Sequence, residues 1–336
     1  MIKATIRKAL LAGSALLLTL PGISQAASYA EHKEFNAFLD EVVSEGIYPK
    51  DQLIQLMQSA QRQESILKAI ARPAEKTLTW GEYRKIFVTE SRINKGIEFY
   101  KKHRATFAKA ATETGVPEEM ILAILGVETR YGQYRGNYRV VDALATLGFD
   151  YPPRAKFFRK QLKQYLYLEK EAGIDISKAK GSYAGAMGFP QFIPSSYRHY
   201  AVDFDGDNVI DLVNNPVDAI GSIANYFKVH GWKKGEPVTA MASYHKKNTS
   251  DDARLKSLLN KKLKPTHTVK EFADLGLVAE APFAPTEKAT AMKLTGAEGD
   301  EYWIGLTNFY VITRYNHSRL YAMAVYQLSQ ALKEKM

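Results

Sequence analysis

The chain has 336 residues, 46% of them hydrophobic, and a formal net charge of +10. That length supports a sizeable core and two or three domains, and the composition excludes a disordered or fibrous protein. It contains no cysteine, which excludes disulfides and a lipid carried on cysteine, so a hydrophobic core or a metal must supply stability.

The first 26 residues open with Lys3, Arg7 and Lys8, continue with an apolar run over 9–20 and end on Ser24-Gln25-Ala26. A basic start, an apolar run too short to span a bilayer and small residues at cleavage spacing predict a secretory signal peptide over 1–26. Its removal takes away three positive charges and no negative ones. No later segment has 18 uncharged apolar residues, so the expectation is a soluble, exported, periplasmic monomer with no stable membrane insertion. The remaining Lys and Arg are scattered and form no basic helix, which argues against nucleic acid. An anionic polymer outside the inner membrane suits the charge better, although a solvated surface accounts for it equally well.

Residues 30–112 read as helices, with apolar positions at helical spacing such as Phe35, Phe38, Leu39, Val42 and Val43. The next segment, 116–132, is more pointed. Pro117 suits the first helical position, Glu118 and Glu119 suit the positive end of the helix dipole, and Gly132 suits the stop. Ile121, Ile124 and Leu125 make the predicted buried stripe, and Glu128 falls on the same face. A carboxyl buried without a cation favours its neutral form, as a general acid at a glycosidic oxygen must. The competing structural reading is a glutamate ion-paired to Arg130 or another cation at the end of a core helix.

Beyond it, the run Gly181-Ser182-Tyr183-Ala184-Gly185-Ala186-Met187-Gly188-Phe189-Pro190-Gln191-Phe192 offers small residues for close backbone approach and two neutral polar groups, Ser182 and Gln191. A tight structural turn is the plainer explanation. Residues 203–211 place Asp203, Asp205, Asp207 and Asp211 at positions 1, 3, 5 and 9, with Asn208 at the turning position, like the start of an EF-hand loop. The acid at position 12 is missing, and the nearest later one is Asp218. Without a second such loop to pair with, a bound Ca²⁺ would stiffen the fold. Between 235 and 307 short alternating runs, as at 289–294 and 302–306, predict strands, and 321–335 returns to an amphipathic helix.

Five motifs stand in order: Gly126-Val127-Glu128-Thr129-Arg130-Tyr131-Gly132, Ala143-Leu144-Ala145-Thr146-Leu147, residues 181–192, residues 203–211, and Arg314-Tyr315-Asn316-His317-Ser318. In that combination the chain resembles the membrane-bound lytic murein transglycosylase B family, over about residues 30–336. The resemblance implies a mainly α (α+β) fold: an N-terminal helical domain over 27–115, a lysozyme-like catalytic core over 116–234, a small α+β domain over 235–308, and a segment over 309–336 returning to the core. It implies cleavage of the MurNAc-GlcNAc β-1,4 bond of peptidoglycan with formation of 1,6-anhydro-MurNAc ends, in cell-wall remodelling and turnover. Other cell-wall enzymes are the implied protein partners, and no organic cofactor is implied.

Under that resemblance Glu128 is the single catalytic acid/base. Substrate positions fall on Tyr83, Ser182, Gln191, Tyr226, Tyr315 and Asn316, and the calcium loop on Asp203, Asp205, Asp207, the Val209 carbonyl and Asp218. Three departures stand out. The lipid-bearing cysteine is absent, Pro153 precedes Arg154 where paired arginines face the peptide part of the substrate, and the calcium loop carries an extra acid at its third position and one more residue before Asp218. The alternatives are a hydrolytic muramidase of lysozyme type and a non-catalytic peptidoglycan-binding scaffold.

Overall fold

The computed structural model describes residues 28–72 and 77–336; the predicted signal peptide lies outside the described residues. The N-terminal part is helical, with α1 (Phe35–Ser44), α2 (Lys50–Ser59), α3 (Glu64–Ile70), α4 (Trp80–Phe87) and α5 (Glu90–Thr114). Reciprocal hydrogen bonds between Thr79 and Glu82 start α4, which explains why a short helix forms there. The long α5 bends at His103 and stops at Gly115, whose φ of 74° ends the helix with little steric cost.

The central helix α6 (Glu118–Thr129) follows, with Pro117 as its N-cap rather than its first helical residue. After it come α7 (Val140–Phe149), α8 (Ala155–Ala172), α9 (Pro194–Tyr200) and α10 (Pro216–Val229), of which α10 packs against α6. The small ladder of β1 (Tyr138–Arg139) and β2 (Lys180–Gly181) holds the Gly-rich run against the start of α7.

From 239 the chain builds β3 (Thr239–Tyr244), α11 (Thr249–Leu258), β4 (His267–Thr268), α12 (Val269–Asp274), β5 (Leu277–Ala279), β6 (Lys288–Thr295) and β7 (Asp300–Gly305). The five strands form one antiparallel sheet in the order β4-β6-β7-β3-β5. Its apolar side packs a separate small core around Leu255, Phe272, Leu277 and Ile304. The last helices, α13 (Thr307–Tyr315) and α14 (Arg319–Lys333), leave that unit and bury Val311, Ile312, Val325 and Leu328 in the main core. The two units are tied where both Trp80 and Trp303 donate their indole N–H to Glu301, each at 3.1 Å. Among the described residues no helix is long and apolar enough to cross a membrane.

The main core includes the acidic loop. Phe204 lies against α10 at Gly221, where an added Cβ would meet the ring at 2.2 Å. Gly221→Ala is therefore expected to lower unfolding stability by about 1–3 kcal/mol in urea titration, although alanine favours helices.

Candidate active site

Helix α6 is buried on every side, so the single stripe expected from its spacing does not exist. Of residues 120–129 only Glu128 is not buried. What distinguishes this glutamate is thus its position, at the end of the helix where the packing opens. The helix stops one residue later, on Thr129 and not at Gly132. Arg130 and Tyr131 both take left-handed backbone, with φ of 50° and 61°, before Gly132 at 86°. Non-glycine residues adopt this region at a cost, and such strain gathers at functional sites. Thr129 holds the turn, its Oγ1 accepting the Gly132 N–H at 2.9 Å and donating to the Phe189 carbonyl at 3.1 Å. Arg130 turns outward to donate to Ser91 Oγ at 2.8 Å.

Tyr321, in the first turns of α14, donates its hydroxyl to Glu128 Oε1 at 2.5 Å. Its ring stacks parallel to that of Tyr315, with centroids 6.4 Å apart. Burial, and after it the Glu128 charge, push the hydroxyls of Tyr315 and Tyr321 well above the ordinary tyrosine range. Both rings therefore keep their protons and act as donors, Tyr315 to the Pro190 carbonyl at 2.7 Å. Tyr226 on α10 extends the wall: its ring lies 4.8 Å from Tyr315 and 5.6 Å from Phe192, and its hydroxyl donates to the Arg314 carbonyl at 2.6 Å. Tyr83 on α4 is buried, with its ring 4.9 Å from Phe87.

The Gly-rich run forms two turns. Ser182 Oγ accepts the Ala184 and Ala186 N–H groups at 3.3 and 3.1 Å. Gln191 sits at a φ of 49°, and its side-chain amide donates to the carbonyls of Gly188 and Arg135 at 2.9 and 3.2 Å. Gly188 approaches the Leu212 carbonyl so closely that an added Cβ would lie 2.2 Å from it, and the Phe189 N–H donates to the same carbonyl at 2.9 Å. The Gly-rich loop is thereby fastened to the end of the acidic loop.

In that loop, Asp203, Asp205 and Asp218 bring carboxylate oxygens within 4.8 Å of one another. Asp207 turns its Oδ1 onto the Val209 N–H at 2.8 Å. Asn208 takes the left-handed φ of 70° expected of it, and Gly206 one of 82°. Asp218, in the first turn of α10, is fully buried and accepts the N–H groups of Phe204 and Asp211, both at 2.8 Å. Burial, with the charges of Asp205 and Asp203 adding, raises its carboxyl above the usual aspartate range, while those N–H bonds oppose the shift. Burial also acts upward on Asp203, but backbone N–H bonds from Asn208, Gly206 and Asp207 outweigh it and hold that carboxyl low. Among the described residues no Lys or Arg forms an ion pair with any of the three. An all-oxygen acidic set with one member fully buried fits a hard divalent cation.

A family model described as the transglycosylase SLT domain matches residues 30–330. The chain belongs to this lytic transglycosylase family. It is 39% identical over 319 residues to the membrane-bound lytic murein transglycosylase B of Escherichia coli, covering 92% of this chain and 85% of that one. Its fold superposes on the catenated lytic transglycosylase SltB1 of Pseudomonas aeruginosa with a TM-score of 0.85 and 47% identity, over 91% of this chain and 99% of the other. The E. coli lytic transglycosylase Slt35, solved in complex with calcium, gives a TM-score of 0.81 and 40% identity, over 91% and 95% of the two chains.

This transglycosylase also has a cleft of about 710 Å³ between α4, the turn before α8, β6 and the start of α14. Arg154, Tyr183 and Asn316 line it, so two of the sequence-predicted substrate residues share one depression. Arg154 is spread over the rings of Phe157 and Phe158, 4.3 and 5.2 Å from their centroids. Sequence reasoning missed Tyr321, which appears only as the first residue of the predicted amphipathic tail. It also missed Tyr131, whose buried hydroxyl has no partner and occupies space left by Gly96 and Gly126. In both helical glycines an added Cβ would meet that hydroxyl, at 2.5 and 2.7 Å. The only sequence signal for Tyr321 is its spacing, six residues after Tyr315.

Tyr321→Phe removes the hydroxyl that holds the Glu128 carboxyl in place. The variant is expected to fold and to lose several-fold in rate, read from initial rates at matched concentrations of folded protein.

Proposed function

We propose that this lytic transglycosylase cleaves the MurNAc-GlcNAc bond of peptidoglycan in the periplasm, with Glu128 serving in turn as acid and base. The carrying observation is a half-buried carboxyl at the end of a buried helix, held by the Tyr321 hydroxyl beside a wall of aromatic rings. Aromatic faces suit pyranose rings, and fixed donors suit the hydroxyl and acetamido groups of the sugar. Glycosidases usually need two carboxylates, but a substrate that carries a 2-acetamido group brings its own nucleophile.

In the first step Glu128 gives its proton to the oxygen linking MurNAc to GlcNAc. The bond from that oxygen to the anomeric carbon breaks as the acetamido oxygen attacks the carbon from the other face. Ser182 uses its hydroxyl oxygen to accept two backbone N–H groups, which leaves its O–H to donate to the acetamido carbonyl. Asn316, at the C-cap of α13, offers a second polar group for the same task. In the second step the ionised Glu128 takes the proton of the muramyl 6-hydroxyl as that oxygen displaces the acetamido oxygen and closes the 1,6-anhydro ring. Glu128 ends protonated and no water is consumed. Tyr83, Gln191, Tyr226 and Tyr315 would form the sugar-binding wall beside Glu128, and Arg154, in the neighbouring cleft, would face the substrate's acidic side.

Glu128→Gln is expected to keep glycan binding and to lose roughly 10²–10⁴-fold in rate. Mass analysis of muropeptides released by the unmodified enzyme should give ends lighter by one water. Ends of full mass would make it a hydrolase.

Asp203, Asp205 and Asp218, with Asp207 and the Val209 carbonyl, would hold Ca²⁺, whose charge neutralises the cluster and stiffens the loop. An ion at a thousandfold excess over its Kd stabilises the folded state by about 4 kcal/mol. Chelation should thus lower the melting temperature by several degrees while leaving most activity in the cold. Calcium-dependent activity without a change in melting would contradict the structural role.

A further inference from the structure

Among the described residues no aspartate or glutamate lines the cleft that holds Arg154 and Asn316, yet three cations do: Arg154, Lys293 and Arg319. Lys293 is neutralised by Asp300, 2.7 Å away. Arg319, the first residue of α14, is half-buried and forms no ion pair with an acid among the described residues. Its Nη2 donates to the backbone carbonyl of Asn260, and its buried Nε has no partner. Burial alone lowers its guanidinium from the ordinary arginine range, with no nearby acid to offset that. A desolvated charge without a counter-ion is costly, and the cost is recovered when an anion arrives.

The contact that orients Arg319 is itself well built. Asn260 takes a left-handed φ of 58° in the turn after α11. It is held on β6 by three bonds: its N–H to the Ala291 carbonyl at 3.1 Å, its side-chain amide to the Lys293 carbonyl at 2.7 Å, and the Lys293 N–H to its side-chain oxygen at 3.2 Å. The small sheet thus presents a fixed carbonyl that aims the guanidinium. Two residues later the same helix supplies Tyr321 to Glu128. A planar fork held by one edge is suited to a carboxylate.

We propose that Arg319 is a specificity residue of the substrate cleft that binds a carboxylate of the peptide borne by the glycan. This rests on the reading that the cleft takes peptidoglycan. In peptide-bearing strands the lactyl carboxyl of muramic acid is tied up as an amide, so the free carboxylates belong to the peptide. Arg319 supplies from the C-terminal helix a second unneutralised cation alongside Arg154, in a chain where Pro153 precedes that arginine.

The test pairs a substitution with a chemical change in the substrate. Soluble peptide-bearing glycan chains are compared before and after amidation of their carboxylates with carbodiimide and ammonia. On untreated chains Arg319→Gln is expected to lower kcat/KM about tenfold, mostly through KM, the size of one charge-assisted hydrogen bond. Amidation should cost the unmodified enzyme at least a similar factor and cost the Arg319→Gln variant clearly less, its remaining loss reflecting Arg154. Arg319→Lys, which keeps the charge but not the fork, should fall between. Equal loss from amidation in the unmodified enzyme and Arg319→Gln, or no loss in either, overturns the proposal. Loss of kcat on both substrates, with a lowered melting temperature in both variants, makes Arg319 structural and also overturns it. Failure of the underlying reading is seen separately, as absence of anhydro ends or retained activity in Glu128→Gln.

Discussion

The burial of α6 on every side is the constraint from which the active site follows. A helix with apolar residues all round cannot lie on a surface, so other elements must cover each of its faces. Helices α5 and α10 cover part of it, and α14 must return from beyond the small sheet to cover the rest. Leu328 and Leu332 on α14 pack where Gly126 and Gly96 leave room. That same return brings Tyr321 to Glu128 across 193 positions of sequence. The polar contact at the centre of the proposed chemistry is a by-product of closing an apolar core.

A second link runs through Leu212. Its carbonyl accepts from Phe189 in the Gly-rich loop, and its N–H donates to the Tyr197 hydroxyl, which in turn donates to the Ile210 carbonyl. The acidic loop and the turn that carries Gln191 therefore share a backbone segment with little freedom. The small sheet makes its own attachment through Trp80, Glu301 and Trp303, and contributes one wall of the cleft through β6.

Much of the fold was legible because it is locally encoded. Alternation at 289–294 and 302–306 marks strands that appear as β6 and β7, and the acidic spacing from Asp203 with Asn208 at the turn marks a loop whose backbone bends where expected. The motif order identified the family. The residues that escaped notice are those whose roles arise from packing between distant segments. Periodicity assigned one face to α6, but a helix crowded with Ile, Leu, Val and Ala carries no usable period. The end of that helix was misplaced because Arg130 and Tyr131 adopt a conformation their side chains disfavour, held by Thr129 and the surrounding core. Arg319 carries no local signal in the sequence, since nothing near it records that the Asn260 carbonyl meets it across 59 positions.

The space around Tyr131 bears on how such an enzyme could be made to tolerate heat. Replacing helical glycines by alanine is a routine way to stiffen a protein, because it restricts the unfolded chain and favours the helix. Gly96 and Gly126 are poor sites for it: each methyl would enter the volume of the Tyr131 hydroxyl and of a leucine from α14. Relief would have to come from Tyr131, whose backbone lies three residues beyond Glu128, and so from the turn that sets Glu128 itself. In this enzyme the two glycines couple thermostability engineering to the geometry of the candidate active site.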